Sequence, residues 1–420
     1  MPFTPPGLSG RKDFPANTNA PKGPHRFSRQ RPPADDAGGA TTVPRGCVAD
    51  WGVMQEEKGF SRYLGAVCTT MSYDGHHEGP DRTSPLGHWE RAVRRYAMVC
   101  CVLVTILLLG HHRPTLAAPY DPLSTTSGTA RARDFTVTDK KRDREIPVRV
   151  YFPDRGTPAP VVLFSHGLGG SRKGGSYLGK HWSARGYMAV FVQHPGSDTS
   201  VWKDEPRHKR MAAMRRAANG RNFMLRVKDI PAVLDQLDRW NSGTGHPLSG
   251  RLDLKHVGMA GHSFGAVTTQ AVSGQAFMGR QLFTDERIKA AIAFSPSSPR
   301  RGRPEHAFGQ VDLPWMLMTG TKDVAVIGDA DLQSRLGVFP ALPAGDKYEL
   351  VLHRAEHSAF TDRSLPGDTE ERNPNHHRAI LALSTAFWDA CLQKNGAAEQ
   401  WLNGHGPRSV LEPEDRWQKK

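Results

Sequence analysis

The sequence predicts an α/β fold in which helices cover both faces of a central, mostly parallel sheet. Fully apolar runs such as 160–164 (PVVLF) and 188–192 (MAVFV) are typical of strands that are buried on both faces. Helical segments separate these runs, and such alternation places successive strands parallel in one sheet. A serine flanked by two glycines follows a third apolar run and precedes a helical segment, which is the position of a sharp strand-to-helix turn.

The composition of the 420-residue chain is that of a globular protein with an unstructured part. Hydrophobic residues make up 38% and charged residues 23%, which excludes a polytopic membrane protein, a coiled coil and a collagen. The 42 glycines and 32 prolines exceed the usual share and predict that part of the chain lacks a fold. The net charge of +14 would suit a nucleic-acid-binding protein. Because no zinc-finger or RNP motif accompanies it, we expect no nucleic-acid partner.

Residues 1–90 show no sustained apolar period and are predicted to be a disordered or misassigned N-terminal extension. Three arginines then precede the apolar run 97–110, and small residues follow at 115–118, which together are the three parts of a secretory signal. As a helix this run would rise about 21 Å, less than the roughly 30 Å of a bilayer core. Residues 91–118 are therefore predicted to be a signal peptide that directs secretion or periplasmic export. A single-pass membrane anchor is the alternative.

Strands and helices alternate from about residue 133, and residues 119–396 are predicted to form one α/β domain. A leading antiparallel pair is expected at 135–138 and 147–152. The buried strands are expected at 160–164, 188–192, 257–260, 290–294, 315–318 and 349–352. The helices are expected at 176–185, 230–240, 266–275 and 376–392, with Pro231 in the first turn of the second. Residues 397–420 are polar and are predicted to be a C-terminal tail.

The segment 261–265 (GHSFG) carries the candidate nucleophile. It has the form G-x-S-x-G and lies between a predicted strand and a predicted helix, where a strained turn would expose the hydroxyl of Ser263. Gly261 and Gly265 would leave room for the strand and helix backbones to approach each other. The helix that follows would add the positive end of its dipole to the site. The alternative is an ordinary serine in a turn.

A second glycine-rich segment, 165–170 (SHGLGG), follows the strand at 160–164. Such a loop can present backbone N–H groups to an anion and so form half of an oxyanion hole. We assign the first donor to the N–H of Leu168 and the second to that of Phe264, directly after the serine. A plain turn is the alternative. The segment lacks the residues of a Walker motif, and no complete dinucleotide-binding fingerprint occurs.

A serine nucleophile needs a base, and the base needs an acid that orients it. Asp323 lies just past the end of the strand at 315–318, and His357 lies beyond the end of the strand at 349–352. The resulting order Ser263, Asp323, His357 is the order expected for a nucleophile in this type of turn. His353 is the alternative base, and Asp329 and Asp331 are the alternative acids.

No metal and no cofactor are expected. Only Cys391 follows residue 120 and no CxxC pair occurs, so neither a disulfide within 119–420 nor a thiolate zinc site is predicted. No histidine pair has metal-site spacing backed by a third ligand. His166 and His194 follow strand ends and are expected to brace loops through hydrogen bonds.

The segment 195–226 is the most cation-rich part of the chain. It is either a solvated helix face or a cap that borders the substrate pocket and favours anionic substrates or lipid surfaces. The cationic residues that make it so are chiefly Arg207, Lys209, Arg210, Arg215, Arg216, Arg221 and Arg226.

The chain resembles the α/β-hydrolase superfamily, and within it the branch of platelet-activating-factor acetylhydrolases and predicted dienelactone hydrolases. The resemblance spans about residues 133–395 and rests on the segments 164–169 (FSHGLG), 183–187 (SARGY) and 261–265 (GHSFG). It implies an α/β-hydrolase fold, with oxyanion donors at Leu168 and Phe264. Dienelactone hydrolases use a cysteine nucleophile, whereas this chain has Ser263, which favours ester hydrolysis over lactone chemistry.

These features predict a serine carboxylic-ester hydrolase that forms an acyl-enzyme through Ser263, Asp323 and His357. The expected substrates are small-molecule or lipid esters, short-acyl phospholipids among them, with peripheral contact to a membrane surface as one mode of access. An amidase, peptidase or acyltransferase with the same residues is one alternative, and a noncatalytic binding protein is another. The oligomeric state stays open.

Overall fold

The fold is taken from a computed structural model, which describes residues 89, 92–100, 119–125, 130–154, 158–328, 330–365 and 367–420. The chain divides into two compact units, residues 1–113 and 114–420. In the first unit, residues 92–100 are helical and their side chains are exposed. Most of the predicted extension and signal segment lies outside the described residues, so both remain predictions. No helix in the described ranges has the length and apolar character needed to span a bilayer.

One sheet of nine strands dominates the second unit, as far as the chain is described. The strands are β1 (Arg131–Asp139), β2 (Arg144–Phe152), β3 (Ala159–Ser165), β4 (Met188–Val192), β5 (Leu252–His262), β6 (Ile288–Phe294), β7 (Trp315–Lys322), β8 (Lys347–Glu356) and β9 (Arg416–Lys419). Their order across the sheet is β1-β2-β4-β3-β5-β6-β7-β8-β9. Strands β3 to β8 pair in parallel, whereas β1, β2 and β9 pair antiparallel with their neighbours. The mostly parallel sheet predicted from the sequence is confirmed.

Helices pack on both faces of this sheet. They are α1 (Ser176–Ala184), α2 (Arg207–Ala217), α3 (Gly220–Ser242), α4 (Phe264–Val272), α5 (Pro304–Phe308), α6 (Leu332–Leu336), α7 (Val338–Ala341), α8 (Pro374–Cys391) and α9 (Gly396–Asn403). Three short 3₁₀ turns lie at Thr199–Val201, His357–Phe360 and Pro407–Ser409.

Helix α3 begins earlier than predicted. The prediction placed Pro231 in its first turn, but the helix starts at Gly220. The side chain of Asn219 caps it by accepting a hydrogen bond from the Asn222 N–H at 2.9 Å. Pro231 therefore lies in the helix interior and removes one backbone donor there. Burial of neighbours such as Ile230 stabilises the helix against this loss.

Alternate residues of the central strands fill hydrophobic cores on both faces of the sheet. In β5, Ala260 packs in the core that contains Trp182 and Phe387, whereas Met259 packs in the core that contains Leu237. Full burial of a methionine, leucine or phenylalanine side chain contributes about 1.5–3 kcal/mol to the free energy of unfolding. Burial on both faces explains why the sequence runs are apolar throughout, and these cores hold the carboxyl ends of the parallel strands side by side.

Residues 397–420 belong to the folded domain, which corrects the prediction of a polar tail. Helix α9 buries Leu402, and β9 extends the sheet by pairing with β8. Trp417 stacks on Tyr348 with ring centroids 5.6 Å apart. A surface helix and an edge strand each bury only one side, so their apolar residues stand singly among polar neighbours. For that reason the segment showed no apolar run.

Candidate active site

The predicted site residues converge at one edge of the sheet. Ser263 follows β5, Asp323 follows β7, His357 follows β8, and Leu168 lies in the loop after β3. Parallel strands end at the same edge, so residues far apart in sequence become neighbours there.

Ser263 occupies a strained turn between β5 and α4. Its backbone angles are φ 58° and ψ −117°, a conformation that a non-glycine residue adopts only at a cost of about 1–3 kcal/mol. Its N–H donates to the carbonyl of Phe294 at 2.9 Å, which ties the turn to β6. A Cβ added at Gly265 would overlap the carbonyl oxygen of Ser165, and one at Gly261 would overlap that of Gly265. Both glycines are therefore required for the turn.

The structure brings Ser263, His357 and Asp323 into one hydrogen-bonded chain. Ser263 Oγ lies 2.9 Å from His357 Nε2, and His357 Nδ1 lies 2.7 Å from Asp323 Oδ1. The second carboxylate oxygen accepts a hydrogen bond from Thr319 Oγ1 at 2.8 Å. Because Asp323 is an acceptor, the proton of the imidazole belongs on Nδ1, which leaves Nε2 free to accept the Ser263 proton. Asp323 is fully buried, whereas Ser263 is partly exposed and accessible to a substrate.

The alternative residues that the structure describes lie outside this hydrogen-bonded chain. His353 lies within β8 with an exposed side chain, and its backbone N–H donates to Asp415 Oδ1 at 2.7 Å. Asp331 caps α6 by accepting a hydrogen bond from the Ser334 N–H at 2.8 Å. Asp329 lies outside the described residues.

Arg335 completes the surroundings of Asp323 and was not predicted. Its side chain is fully buried, and its Nε lies 2.9 Å from Asp323 Oδ1. Burial alone would raise the pKa of Asp323, but the hydrogen bond from His357 and the charge of Arg335 hold that pKa well below its usual range. The carboxyl group is therefore an anion at every physiological pH. A lone arginine in a short helix gave no sequence signal of this contact, which arises only when α6 packs beside β7.

His262 is a second residue that the sequence did not single out. Its Nε2 donates to the carbonyl of His357 at 3.0 Å, and the two rings lie 4.6 Å apart. Burial and the neighbouring His357 hold the pKa of His262 well below its usual range, so this ring is neutral. His262 thereby fixes the backbone that carries the proposed base.

The two predicted oxyanion donors lie beside Ser263. A Cβ built at Gly167 would be 3.3 Å from the Cβ of Ser263, and Leu168 follows directly. Phe264 is the first residue of α4, where N–H groups lack an intrahelical partner. Among the described residues, neither the Leu168 N–H nor the Phe264 N–H donates to a protein acceptor. Both can therefore donate to a substrate oxygen.

The cation-rich segment separates into exposed and buried residues. Arg207, Lys209, Arg215 and Arg216 of α2 are exposed, whereas Arg226 of α3 is fully buried. His166 and His194 form hydrogen bonds within buried loops, as predicted. No cluster of three metal-ligating side chains occurs in the part of the chain that the structure describes.

Residues 151–297 match the family model of platelet-activating factor acetylhydrolase, isoform II. The matched segment contains Leu168, Ser263 and Phe264, whereas Asp323 and His357 follow it. A ferulic acid esterase from Streptomyces cinnamoneus has a similar solved structure at 19% sequence identity and a TM-score of 0.45, with 72% of this chain and 99% of that chain covered. No curated protein matches. The family match and the sheet topology confirm the resemblance seen in the sequence: the chain has an α/β-hydrolase fold, and over residues 151–297 it is similar to the platelet-activating factor acetylhydrolases.

Proposed function

We propose that the protein is a serine carboxylic-ester hydrolase that forms an acyl-enzyme on Ser263. The observation that carries this proposal is the hydrogen-bonded chain from Ser263 through His357 to Asp323 at the strained turn. A partly exposed serine beside an imidazole acceptor and a buried carboxylate is the arrangement that activates a hydroxyl for attack.

In the proposed reaction, Ser263 Oγ attacks the ester carbonyl carbon while His357 Nε2 takes its proton. The N–H groups of Leu168 and Phe264 bind the oxygen that becomes negative. The intermediate collapses, the bond to the alkoxide breaks, and His357 protonates the departing alcohol. A water molecule then attacks the acyl-enzyme with His357 again as the base, and the proton returns to Ser263. Asp323 stabilises the charged imidazole in both halves of the cycle.

Ester hydrolysis is tested with a chain-length series of p-nitrophenyl esters and with a phospholipid that carries a short sn-2 acyl group. We expect turnover of the acetyl and butyryl esters and of the short-acyl phospholipid, and much slower turnover of the matching p-nitroanilides. Faster anilide cleavage would indicate an amidase instead. Absence of both turnover and fluorophosphonate labelling would indicate a noncatalytic binding protein.

We further propose that α2 contacts an anionic lipid surface that presents the ester. Helix α2 lies beside the glycine-rich segment 165–170, here called the oxyanion loop. The Met214 sulfur of α2 would contact a Cβ at Gly169, and Trp202 Nε1, just before the helix, donates to the Gly169 carbonyl at 2.8 Å. Residues 203–221 contain seven Lys/Arg and two Asp/Glu, a net charge of +5. A basic side chain near an anionic membrane contributes about 1 kcal/mol to binding.

Reversing two of these charges tests the contact. The double change Arg215→Glu and Arg216→Glu is expected to weaken binding to phosphatidylglycerol vesicles by tenfold or more. The reason is that each basic residue near the membrane contributes roughly 1 kcal/mol to binding. Hydrolysis of soluble p-nitrophenyl acetate should stay unchanged. The matched control changes Lys255 and Lys289 to Glu, two exposed lysines at the opposite sheet edge. Equal loss of vesicle binding in both double variants would show a general charge effect and reject an α2 contact.

Export through residues 91–118 is the cellular setting that we propose. The proposal rests on the order of segments in the sequence, where arginines are followed by an apolar run and then by small residues. Protein recovered outside the cytoplasm should begin after residue 117 or 118, as N-terminal sequencing would reveal. An intact N-terminus in a membrane fraction would show an anchor instead.

A further inference from the structure

A second hydrogen-bonded chain of serine, histidine and aspartate begins at Ser165, the first residue of the oxyanion loop, and takes no chemical step in the reaction proposed above. Ser165 Oγ lies 2.9 Å from His194 Nε2, and His194 Nδ1 lies 2.9 Å from Asp229 Oδ2. All three side chains have no solvent exposure. Ser165 therefore has no access to a substrate, and the role of these three residues is structural.

The donors and acceptors of this buried cluster form one directed network. Asp229 accepts from the Nδ1–H of His194, so His194 Nε2 accepts the hydroxyl proton of Ser165. The oxygen of Ser165 accepts in turn from the Arg226 guanidinium at 3.0 Å. Burial and the charge of Arg226 lower the pKa of His194 to about 4, which keeps the ring neutral. Each polar group in the network has a partner, as a buried polar network requires.

His166 connects the network to the first proposed oxyanion donor. Its Nε2 accepts from the backbone N–H of His194 at 3.1 Å, so its proton lies on Nδ1. That Nδ1–H donates to the Gly167 carbonyl at 2.6 Å, and the Gly170 N–H donates to the same oxygen at 3.0 Å. The Gly167 carbonyl and the Leu168 N–H belong to one planar peptide group. Fixing the carbonyl therefore fixes the direction in which the Leu168 N–H points.

Arg226 connects the same loop to the second donor. Its guanidinium donates to the His166 carbonyl, and its centre lies 4.6 Å from the ring centroid of Phe264. Its Nε donates at 3.0 Å to Thr268 Oγ1, whose hydroxyl donates to the Phe264 carbonyl at 2.9 Å. The guanidinium is planar and carries several donors in fixed directions, so it can set the spacing of two backbone segments that a lysine could not span.

We propose that His166 and Arg226 are positioning residues for the oxyanion hole, which His166 orients through the Gly167–Leu168 peptide and Arg226 through its contact with Phe264. Neither residue touches the substrate. The inference rests on the proposed function, because it assigns a purpose to groups around the Leu168 and Phe264 N–H donors. Ser165, His194 and Asp229 are arranged like a catalytic triad because a neutral imidazole between a carboxylate and a hydroxyl gives each of the three buried groups a hydrogen-bond partner without water.

The test compares His166→Leu, which removes the donor to Gly167, with His166→Asn, which restores an amide donor near the same place. Each variant is assayed with p-nitrophenyl acetate and with a trifluoromethyl ketone inhibitor. Ser263 Oγ adds to the ketone carbon, its proton passes to His357, and the carbonyl oxygen becomes an oxyanion in the hole. We expect His166→Leu to lower kcat about 10- to 100-fold, since losing an oxyanion donor outright costs about 10²- to 10³-fold. KM should change little.

The ketone distinguishes positioning from general damage to the fold. Its affinity should fall by the same factor as kcat/KM in His166→Leu and recover largely in His166→Asn. His181→Leu is the matched control, because His181 also donates to a backbone carbonyl, that of Pro122, at the far end of α1. It should leave kcat and ketone affinity unchanged. Wild-type kcat and ketone affinity in folded His166→Leu would overturn the role of His166.

Arg226→Lys provides a second, independent variant that keeps the buried charge. It should lower kcat and ketone affinity together, and wild-type values for both would overturn the role of Arg226 even if His166→Leu failed to fold. Failure of the proposed function would be seen differently, in a wild-type protein that neither hydrolyses esters nor binds the ketone.

Discussion

Ser263→Ala is expected to abolish ester hydrolysis and fluorophosphonate labelling while leaving the fold intact. The change removes the only atom that the reaction requires of this residue, and loss of a nucleophile costs about 10⁴-fold or more in rate. The backbone angles of the turn are as strained for alanine as for serine, and the buried surface hardly changes. The rate of p-nitrophenyl acetate hydrolysis and the thermal unfolding midpoint are the two measurements.

The matched control is Ser273→Ala, a buried serine just past the end of α4 whose hydroxyl donates to the Thr269 carbonyl. This variant should retain wild-type activity and labelling. In the wild-type protein, the phosphonyl adduct should be found on the peptide that contains Ser263. More than about a tenth of the activity remaining in Ser263→Ala would mean that another group is the nucleophile, because removal of a true nucleophile leaves far less.

The sequence predicted the parts of the site that follow from local constraint. The turn at Ser263 needs a glycine on each side, so its position could be found from five residues. Asp323 and His357 could be placed beside it because both follow strands of a parallel sheet, whose carboxyl ends share one edge. Asp323, His357 and the serine form one hydrogen-bonded chain, whereas the His353 side chain is exposed on β8 and Asp331 caps α6.

The sequence did not predict the groups that act through tertiary packing. Arg226 and Arg335 are both fully buried, although arginine is mostly an exposed residue and composition counts it as a surface charge. Each is buried because several acceptors surround it, and these acceptors come from separate elements of the chain. No local pattern of residues reports such a convergence. The folded segment 397–420 was missed for a related reason, since its contacts with β8 are made by isolated apolar residues.

His357→Ala is expected to be as damaging as the serine change. Without the imidazole, no group accepts the proton of Ser263 as it attacks, and none protonates the departing alcohol. The fold should survive, because Asp323 keeps its ion pair with Arg335 and its hydrogen bond from Thr319. We expect a loss of about 10⁴-fold or more in kcat for p-nitrophenyl acetate.

Imidazole added to the solution can occupy the space left by the ring and should restore part of the activity of His357→Ala, whereas it cannot rescue Ser263→Ala. His353→Ala is the matched control, because His353 lies four residues earlier with its side chain exposed on β8. It should keep kcat within about twofold of wild type, as surface substitutions away from a site usually do. If His353→Ala removes activity and His357→Ala retains it, the base is His353, and the hydrogen bond from the Ser263 hydroxyl to His357 has only a structural role.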